Sequence, residues 1–178
     1  MRTLRLSLAG TVVLLLAIGL SGAVAAQDEA DPMAPAYFTY TLEPVGEFPV
    51  EGDEDVVRDH REVDAVEATD PRASGLLTTI GNWNEVVHEG RGFSNAATSV
   101  RLANDGGAWS GTGRGTITYL DGRSLMTGLS MLTGEDGYEG LTLMMNQYWD
   151  ADTTTFWGVI LPSDQVPPVP DPVEPPAE

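Results

Sequence analysis

The stretch that decides the fold runs from Asn104 to Gly122 and reads Asn104-Asp105-Gly106-Gly107-Ala108-Trp109-Ser110-Gly111-Thr112-Gly113-Arg114-Gly115-Thr116-Ile117-Thr118-Tyr119-Leu120-Asp121-Gly122. Its two ends are turn signals, because Asn, Asp and Gly adopt positive φ at little cost and suit tight hairpins. Between them the glycines at 111, 113 and 115 alternate with larger residues, a period of two that is typical of a strand. Glycine at alternate positions strips one face of side chains, which suits a tightly curved wall or the close approach of a ring such as Trp109. The stretch therefore predicts a long strand between two hairpins.

The same period of two continues outward in both directions. Apolar and polar residues alternate in several segments, and turn-forming residues such as Asp70-Pro71-Arg72 separate them. We count about eight strands and no convincing amphipathic helix; the strands are predicted over 37–42, 63–65, 76–80, 98–102, 108–120, 123–132, 138–149 and 153–161. Short strands joined by tight turns are typical of a barrel or a sandwich. The predicted fold class is all-β, a single antiparallel eight-stranded β-barrel over residues 36–161.

The composition excludes several classes of chemistry. The chain has 178 residues, with 27 Asp and Glu, nine basic residues that are all Arg, and no Cys. Without Lys there is no Walker A loop and no Schiff base, and without Cys there is no thiol nucleophile, disulfide or Cys zinc site. A net charge of -18 argues against binding to nucleic acid or to anionic lipid, because both need a basic surface.

Residues 1–26 have the features of a secretory signal peptide. Arg2 and Arg5 precede an apolar run from Leu8 to Leu20, and the small residues that follow as far as Ala26 suit cleavage. The run is shorter than the ~20 residues that span a bilayer, which favours cleavage over a membrane anchor. We therefore expect a secreted or extracytoplasmic protein with no membrane attachment after cleavage.

Two flanking segments are predicted to lie outside the β domain. Residues 27–35 form an acidic leader, and residues 162–178 contain seven of the 12 prolines, four acids and no base. Segments of this composition lack apolar mass, so a disordered leader and a disordered Pro-rich acidic tail are expected. Much of the negative charge precedes the central strands, since residues 28–70 hold 14 acids and residues 71–161 hold nine.

The last two predicted strands are apolar on both faces. In the first, Leu143 and Met145 share one face while Met144 lies on the other; in the second, Trp157 and Ile160 lie on opposite faces. Such a strand needs two dry surfaces, which are a barrel interior and either a covering segment or another subunit. We expect a homo-oligomer.

No motif identifies a metal, a cofactor or a catalytic site. The glycines from 111 to 115 do not form a nucleotide loop, because they lie inside a strand rather than between a strand and a helix. His60 and His88 lack partners at metal-ligand spacing, and in Asp59-His60 adjacent residues of a strand point to opposite faces. There is no recognisable nucleophile with a base. We predict no metal and no cofactor, and we leave open whether the protein is an enzyme, with a non-enzyme favoured.

Two stretches resemble known β-barrel families. Gly81-Asn82-Trp83 is similar to the G-x-W motif of lipocalins, whose tryptophan closes one end of a ligand-holding barrel. The stretch from Trp109 to Thr142 resembles the allene oxide cyclase and dirigent-like barrels, in which a glycine turn, an aromatic residue, a variable residue and another glycine lead into a late strand. The matching residues are Gly134, Gly137, Tyr138 and Gly140. This second resemblance covers roughly 70–161 and implies an eight-stranded barrel, often dimeric or trimeric, with an apolar interior. It transfers no catalytic residues, so it does not imply cyclase activity.

The predicted function is the binding or templating of a small apolar ligand in the barrel lumen, because ligand cavities are mostly apolar with a few polar groups. The candidate ligand-binding residues are Trp83, Trp109, Arg114, Tyr138 and Glu139. Arg114 is either an internal cation or a surface charge. Glu139 is either a buried acid of raised pKa, able to orient a ligand or move a proton, or an exposed residue at the rim.

Two other functions fit the same sequence. An eight-stranded barrel is just wide enough to be filled by side chains or to admit one small ligand, so a structural or interaction protein with a filled barrel is the first alternative. The second is an isomerase or cyclase that acts by templating. It needs a base and a pocket together, and only Glu139 is available as the base.

Overall fold

The computed structural model describes residues 31–47, 51–53, 55–150 and 152–163. In these ranges the chain forms nine strands and one short 3-10 turn, Pro71–Ala73. The strands are β1 (Ala36–Glu47), β2 (Glu51–Asp53), β3 (Val56–Ala68), β4 (Gly75–His88), β5 (Arg91–Asn104), β6 (Gly107–Leu120), β7 (Arg123–Asp136), β8 (Thr142–Trp149) and β9 (Thr154–Leu161). The predicted signal peptide over 1–26, and the predicted tail beyond residue 163, lie outside the described residues.

The strands form one antiparallel sheet that closes on itself. Their order is β1-β9-β8-β7-β6-β5-β4-β3-β2, and β1 pairs with β3 as well as with β9. Eight strands therefore form a ring, and the three-residue β2 pairs with β3 beside it. The coarse form of the fold prediction is confirmed: the described chain is all-β, with eight antiparallel strands in one sheet.

Two-residue turns connect the central strands. The predicted hairpins at Asp105-Gly106 and Asp121-Gly122 are confirmed, and the second has φ values of 49° and 81°. These turns bound β6, the strand that the sequence predicted almost to the residue. A third hairpin, at Glu89-Gly90 with φ values of 52° and 74°, joins β4 to β5 in a stretch where no strand was predicted.

Apolar side chains fill one end of the ring. This end is formed by the starts of β1, β4, β6 and β8 and by the ends of β3, β5, β7 and β9. Alternate residues of these strands point inward there. The largest of them are fully buried: Phe38, Leu102, Trp109, Leu132, Leu141, Leu143 and Ile160. Burial of each such side chain stabilises the fold by roughly 1.5–3 kcal/mol. The packed side chains hold the eight strands together at this end. Toward the other end, a different set of residues lines the interior.

An ion pair anchors the chain at the packed end. Arg72, in the 3-10 turn, donates to Asp70 with an Nη2 to Oδ2 distance of 2.7 Å, and its Nη1 donates to the carbonyl oxygens of Pro32 and Ala34. The Arg72 guanidinium holds the pKa of the Asp70 carboxyl below its usual value. Residues 31–35, which the sequence assigned to a disordered leader, instead form a turn, because this arginine binds two of their carbonyls.

The segment before β8 also differs from the prediction. The strand expected from residue 138 begins at Thr142, while β7 extends to Asp136 and residues 137–140 form turns. The N–H of Tyr138 donates to Glu135 and the N–H of Leu141 donates to Tyr138. Gly140 has a φ of 83°, a conformation that favours glycine, so this glycine marks a turn rather than a strand.

Candidate functional site

A cavity of about 570 Å³ lies inside the ring. All eight ring strands contribute side chains to its wall, which is mostly apolar. Its larger apolar and aromatic lining comprises Leu42, Pro44, Leu77, Trp83, Val100, Ile117, Met126, Leu129, Met145 and Phe156. The carboxylates of the lining lie on β3 and β4. The polar and charged lining as a whole comprises His60, Glu62, Asp64, Thr79, Glu85, Ser94, Thr98, Arg114, Thr116, Ser130 and Gln147.

The cavity exists because small residues meet across three strands. Ala96 of β5 pairs with Gly115 of β6, and Gly115 pairs with Gly128 of β7. All three line the cavity. Side chains of ordinary size at these positions would fill a ring of eight strands. The stripped face that the glycines of β6 predict is therefore a wall of the cavity.

A β-bulge in β3 sets which residues of that strand face inward. Between Val57 and His60, two residues of β3 lie opposite one residue of β4. Asp59, within the bulge, has a φ of 54°, and its N–H donates to Asn82 Oδ1 at 2.7 Å. The extra residue shifts the alternation, so both Val57 and His60 are buried, with exposures of 3% and 5%. Bulges often re-aim side chains next to functional sites in this way.

His60 is an unusual member of the interior. Its Nε2 lies 3.1 Å from Glu62 Oε1, and the ring of Trp83 meets its ring edge-on at a centroid distance of 5.2 Å. Among the described residues, His60 Nδ1 is the one buried side-chain polar atom that has no hydrogen-bond partner. A buried polar atom without a partner costs free energy. His60 therefore contributes less to stability than an apolar residue of its size would.

Three carboxylates line the cavity, and they differ in their hydrogen-bond and ion-pair partners. Glu62 contacts His60, and Glu85 accepts a hydrogen bond of 2.6 Å from the Tyr119 hydroxyl, which with partial burial raises the pKa of Tyr119 to about 12. Asp64 is half-buried and has no hydrogen-bond or ion-pair partner within the described ranges. Burial and then the charge of Glu62 raise the pKa of Asp64. Asp64 is thus the carboxylate available to something that enters the cavity.

Of the sequence-predicted site residues, Trp83 lines the cavity, whereas Trp109 and Tyr138 lie at the packed end. The rings of Trp109 and Tyr138 stack with their centroids 4.6 Å apart. Trp109 Nε1 donates to the carbonyl oxygen of Arg72 at 2.8 Å, and the Tyr138 hydroxyl donates to Asn104 Oδ1 at 2.7 Å. Both aromatic residues thus hold the end of the ring together, and the structure does not bring them to the cavity.

The two charged residues that the sequence singled out are both exposed. Arg114 borders the cavity, but alternation along β6 places its side chain on the face opposite Gly113 and Gly115. Glu139 lies in the turns over residues 137–140, outside the cavity lining. The structure therefore places Arg114 as a surface charge and Glu139 at the rim of the packed end.

Sequence reasoning missed the cluster of His60, Glu62 and Asp64. The sequence predicts only a short strand over 63–65 here, and it pairs His60 with His88 or with its neighbour Asp59 rather than with Glu62 and Asp64. The signal that identifies the cluster is its spacing, because residues two apart on a strand share a face. The bulge that turns this face inward leaves no comparable mark in the sequence.

Neither metal ligation nor a membrane-spanning helix emerges from the described part of the chain. No three His, Asp or Glu side chains there come close enough together to hold a metal ion. No helix in the same ranges has the length and apolar character of a membrane span.

Comparisons with protein-family models, curated proteins and solved structures found no significant match. The resemblance to allene oxide cyclase and dirigent-like barrels, and the one to lipocalins, therefore stay predictions from sequence. The function has to be argued from the cavity.

Proposed function

We propose that the ring is a β-barrel that binds a small apolar ligand in its interior without changing it chemically. The observation that supports this most directly is the cavity of about 570 Å³. Ligand sites are typically concave, mostly apolar and roughly 300–1,000 Å³ in volume. Trp83 and Phe156 offer the ligand aromatic surfaces, and the wall of small residues offers it space.

The same cavity bears on the two alternative functions, a structural protein with a filled barrel and an isomerase or cyclase that acts by templating. A barrel that serves only as a packed scaffold gains nothing from the paired glycines at 115 and 128, which leave its interior hollow. For an isomerase that acts by templating, the base expected from the sequence, Glu139, is exposed in a turn outside the cavity, so that alternative would have to rely on the carboxylates of the wall instead. Binding is the function for which the interior is best built.

Tryptophan fluorescence tests the proposal. We expect neutral apolar probes, such as fatty alcohols and terpenes, to shift or quench the emission, because Trp83 lines the cavity. The change should be much smaller in Trp83→Phe. It should persist in Trp157→Phe, a control on β9, since Trp157 does not line the cavity. Unchanged wild-type emission with every apolar probe, neutral or charged, would refute the proposal.

A further inference from the structure

Among the described residues, the formally charged side chains that point into the cavity are all carboxylates. Its wall includes the carboxylates of Glu62, Asp64 and Glu85, whereas the one arginine at its border, Arg114, points its exposed side chain to the opposite face of β6. A mostly apolar interior lined by several carboxylates has a negative potential, although the Glu62 side chain, at 52% exposure, lies partly in solvent. Neutral apolar molecules make no use of this potential.

The carboxylates of Glu62 and Asp64 are placed to act together. They are two residues apart on β3, so both point inward, at a spacing of about 6.6 Å along the strand. Glu62 makes its contact with His60. Asp64 pairs across the sheet with Pro44 on one side and Leu77 on the other, and neither side chain can donate a hydrogen bond.

The lack of a partner for Asp64 within the described part of the chain has a cost. Burial and the nearby charge of Glu62 raise its pKa, which means that the ionised carboxylate is disfavoured in the folded chain. The unpaired Nδ1 of His60, buried beside Glu62, adds a second unsatisfied polar group to the same wall. Polar groups that destabilise a fold in this way are typical of functional sites.

We propose that the ligand of this cavity is an organic amine, whose ammonium group lies between Glu62 and Asp64 and whose apolar body lies against Trp83 and Phe156. The inference rests on the proposed function, since it names the chemical class of the ligand. An ammonium supplies the hydrogen-bond donors that Asp64 lacks and neutralises the repulsion between the two carboxylates. The face of a tryptophan also attracts a cation held within about 6 Å.

Isothermal titration calorimetry with three probes on one carbon skeleton tests the inference. The probes are 2-(1-naphthyl)ethylamine, the corresponding alcohol and the corresponding carboxylate, each at pH 7.5. We expect the amine to bind at least tenfold more tightly than the alcohol, and the carboxylate to bind most weakly. Asp64→Asn and Glu62→Gln should each weaken binding of the amine about tenfold and leave binding of the alcohol unchanged.

Glu67→Gln is the matched control, because Glu67 is an exposed acid of β3 that does not line the cavity. It should leave the preference for the amine intact. Equal affinities for amine and alcohol would overturn the inference while the proposed function stands. Loss of the preference in Glu67→Gln would overturn it too, since a diffuse surface charge would then be the cause. Failure of all apolar probes, charged and neutral, would refute the proposed function itself.

Discussion

Asp64 and Asp70 lie six residues apart and have opposite electrostatic environments. Asp70 binds the guanidinium of Arg72, with side-chain exposures of 14% and 16%, and its pKa is lowered by that contact. Asp64 faces the cavity without a partner among the described residues, and its pKa is raised by burial and by Glu62. Asp70 therefore stabilises the fold as an ionised group, whereas ionised Asp64 destabilises it.

Replacing each aspartate by asparagine should move stability in opposite directions. At pH 7, Asp70→Asn should lower the free energy of unfolding by about 2 kcal/mol, because it removes a charge-assisted hydrogen-bond pair and keeps the turn-capping oxygen. Asp64→Asn should raise the Tm by about 2 °C, because the unpaired charge is gone.

The contributions of Asp70 and Asp64 to the free energy of unfolding should depend on pH with opposite signs. Asp70 titrates below the unfolded value of about 3.9, so its contribution is full above that pH and is lost as the pH falls through its lowered pKa. The cost of Asp64 is full above its raised pKa and vanishes below about 3.9. Urea unfolding between pH 7 and pH 3 measures both. An Asp64→Asn variant less stable than wild type at pH 7 would contradict this assignment.

At the scale of the element, β3 and β6 build the site by opposite means. β3 has a bulge, which adds a residue and turns His60 inward, while β6 omits side chains at Gly113 and Gly115. The sequence predicts β6 closely because its turn residues and period of two act locally. It does not predict the full extent of β3 or the hairpin at Glu89-Gly90, since the register of β3 depends on its pairing with β1 and β4.

Two glycines of β6 should respond differently to substitution. A Cβ at Gly111 would overlap the carbonyl oxygen of Met131 and the Cα of Leu132, so Gly111→Ala should lower the free energy of unfolding by about 2 kcal/mol. A Cβ at Gly115 makes ordinary contacts and points into the cavity. Gly115→Leu should therefore fold normally and fill part of the cavity.

Ligand titrations of Gly115→Leu, combined with urea unfolding, check this prediction. Binding of the probes that shift wild-type fluorescence should weaken at least tenfold, because leucine occupies their space. A stable Gly115→Leu variant that binds as tightly as wild type would show that the ligand lies elsewhere.

At the scale of the whole molecule, the outer surface is divided by charge. β8 and β9 contain no charged residue, although the chain has a net charge of -18. On the outer face, Met131, Met144, Val159 and Tyr37 are register partners in a row across β7, β8, β9 and β1. Four strands at about 4.8 Å spacing make this row about 14 Å wide. We call the outer surface of β8 and β9, together with Met131 of β7 and Tyr37 of β1, the neutral face; the charged residues of β1 and β7 lie outside it.

The neutral face is the surface through which we expect two copies of the chain to associate. Two acidic molecules repel each other wherever charged surfaces meet, and contact through the neutral face brings no formal charges together. The face also exposes large apolar side chains, since Tyr37 is 66% exposed and stacks on Trp157 at 6.0 Å. This observation extends the argument for a homo-oligomer from strands that are apolar on both sides to a defined contact surface.

Light scattering coupled to gel filtration tests the association. We expect a mass that is a multiple of the chain mass, and we expect Tyr37→Asp to give the monomer, because a carboxylate would then be buried in the contact. Phe93→Asp is the matched control: Phe93 is 51% exposed on the outer face of β5, which pairs with none of the four strands. It should leave the mass unchanged. A wild-type monomer, or equal dissociation by both variants, would rule out the neutral face as the contact.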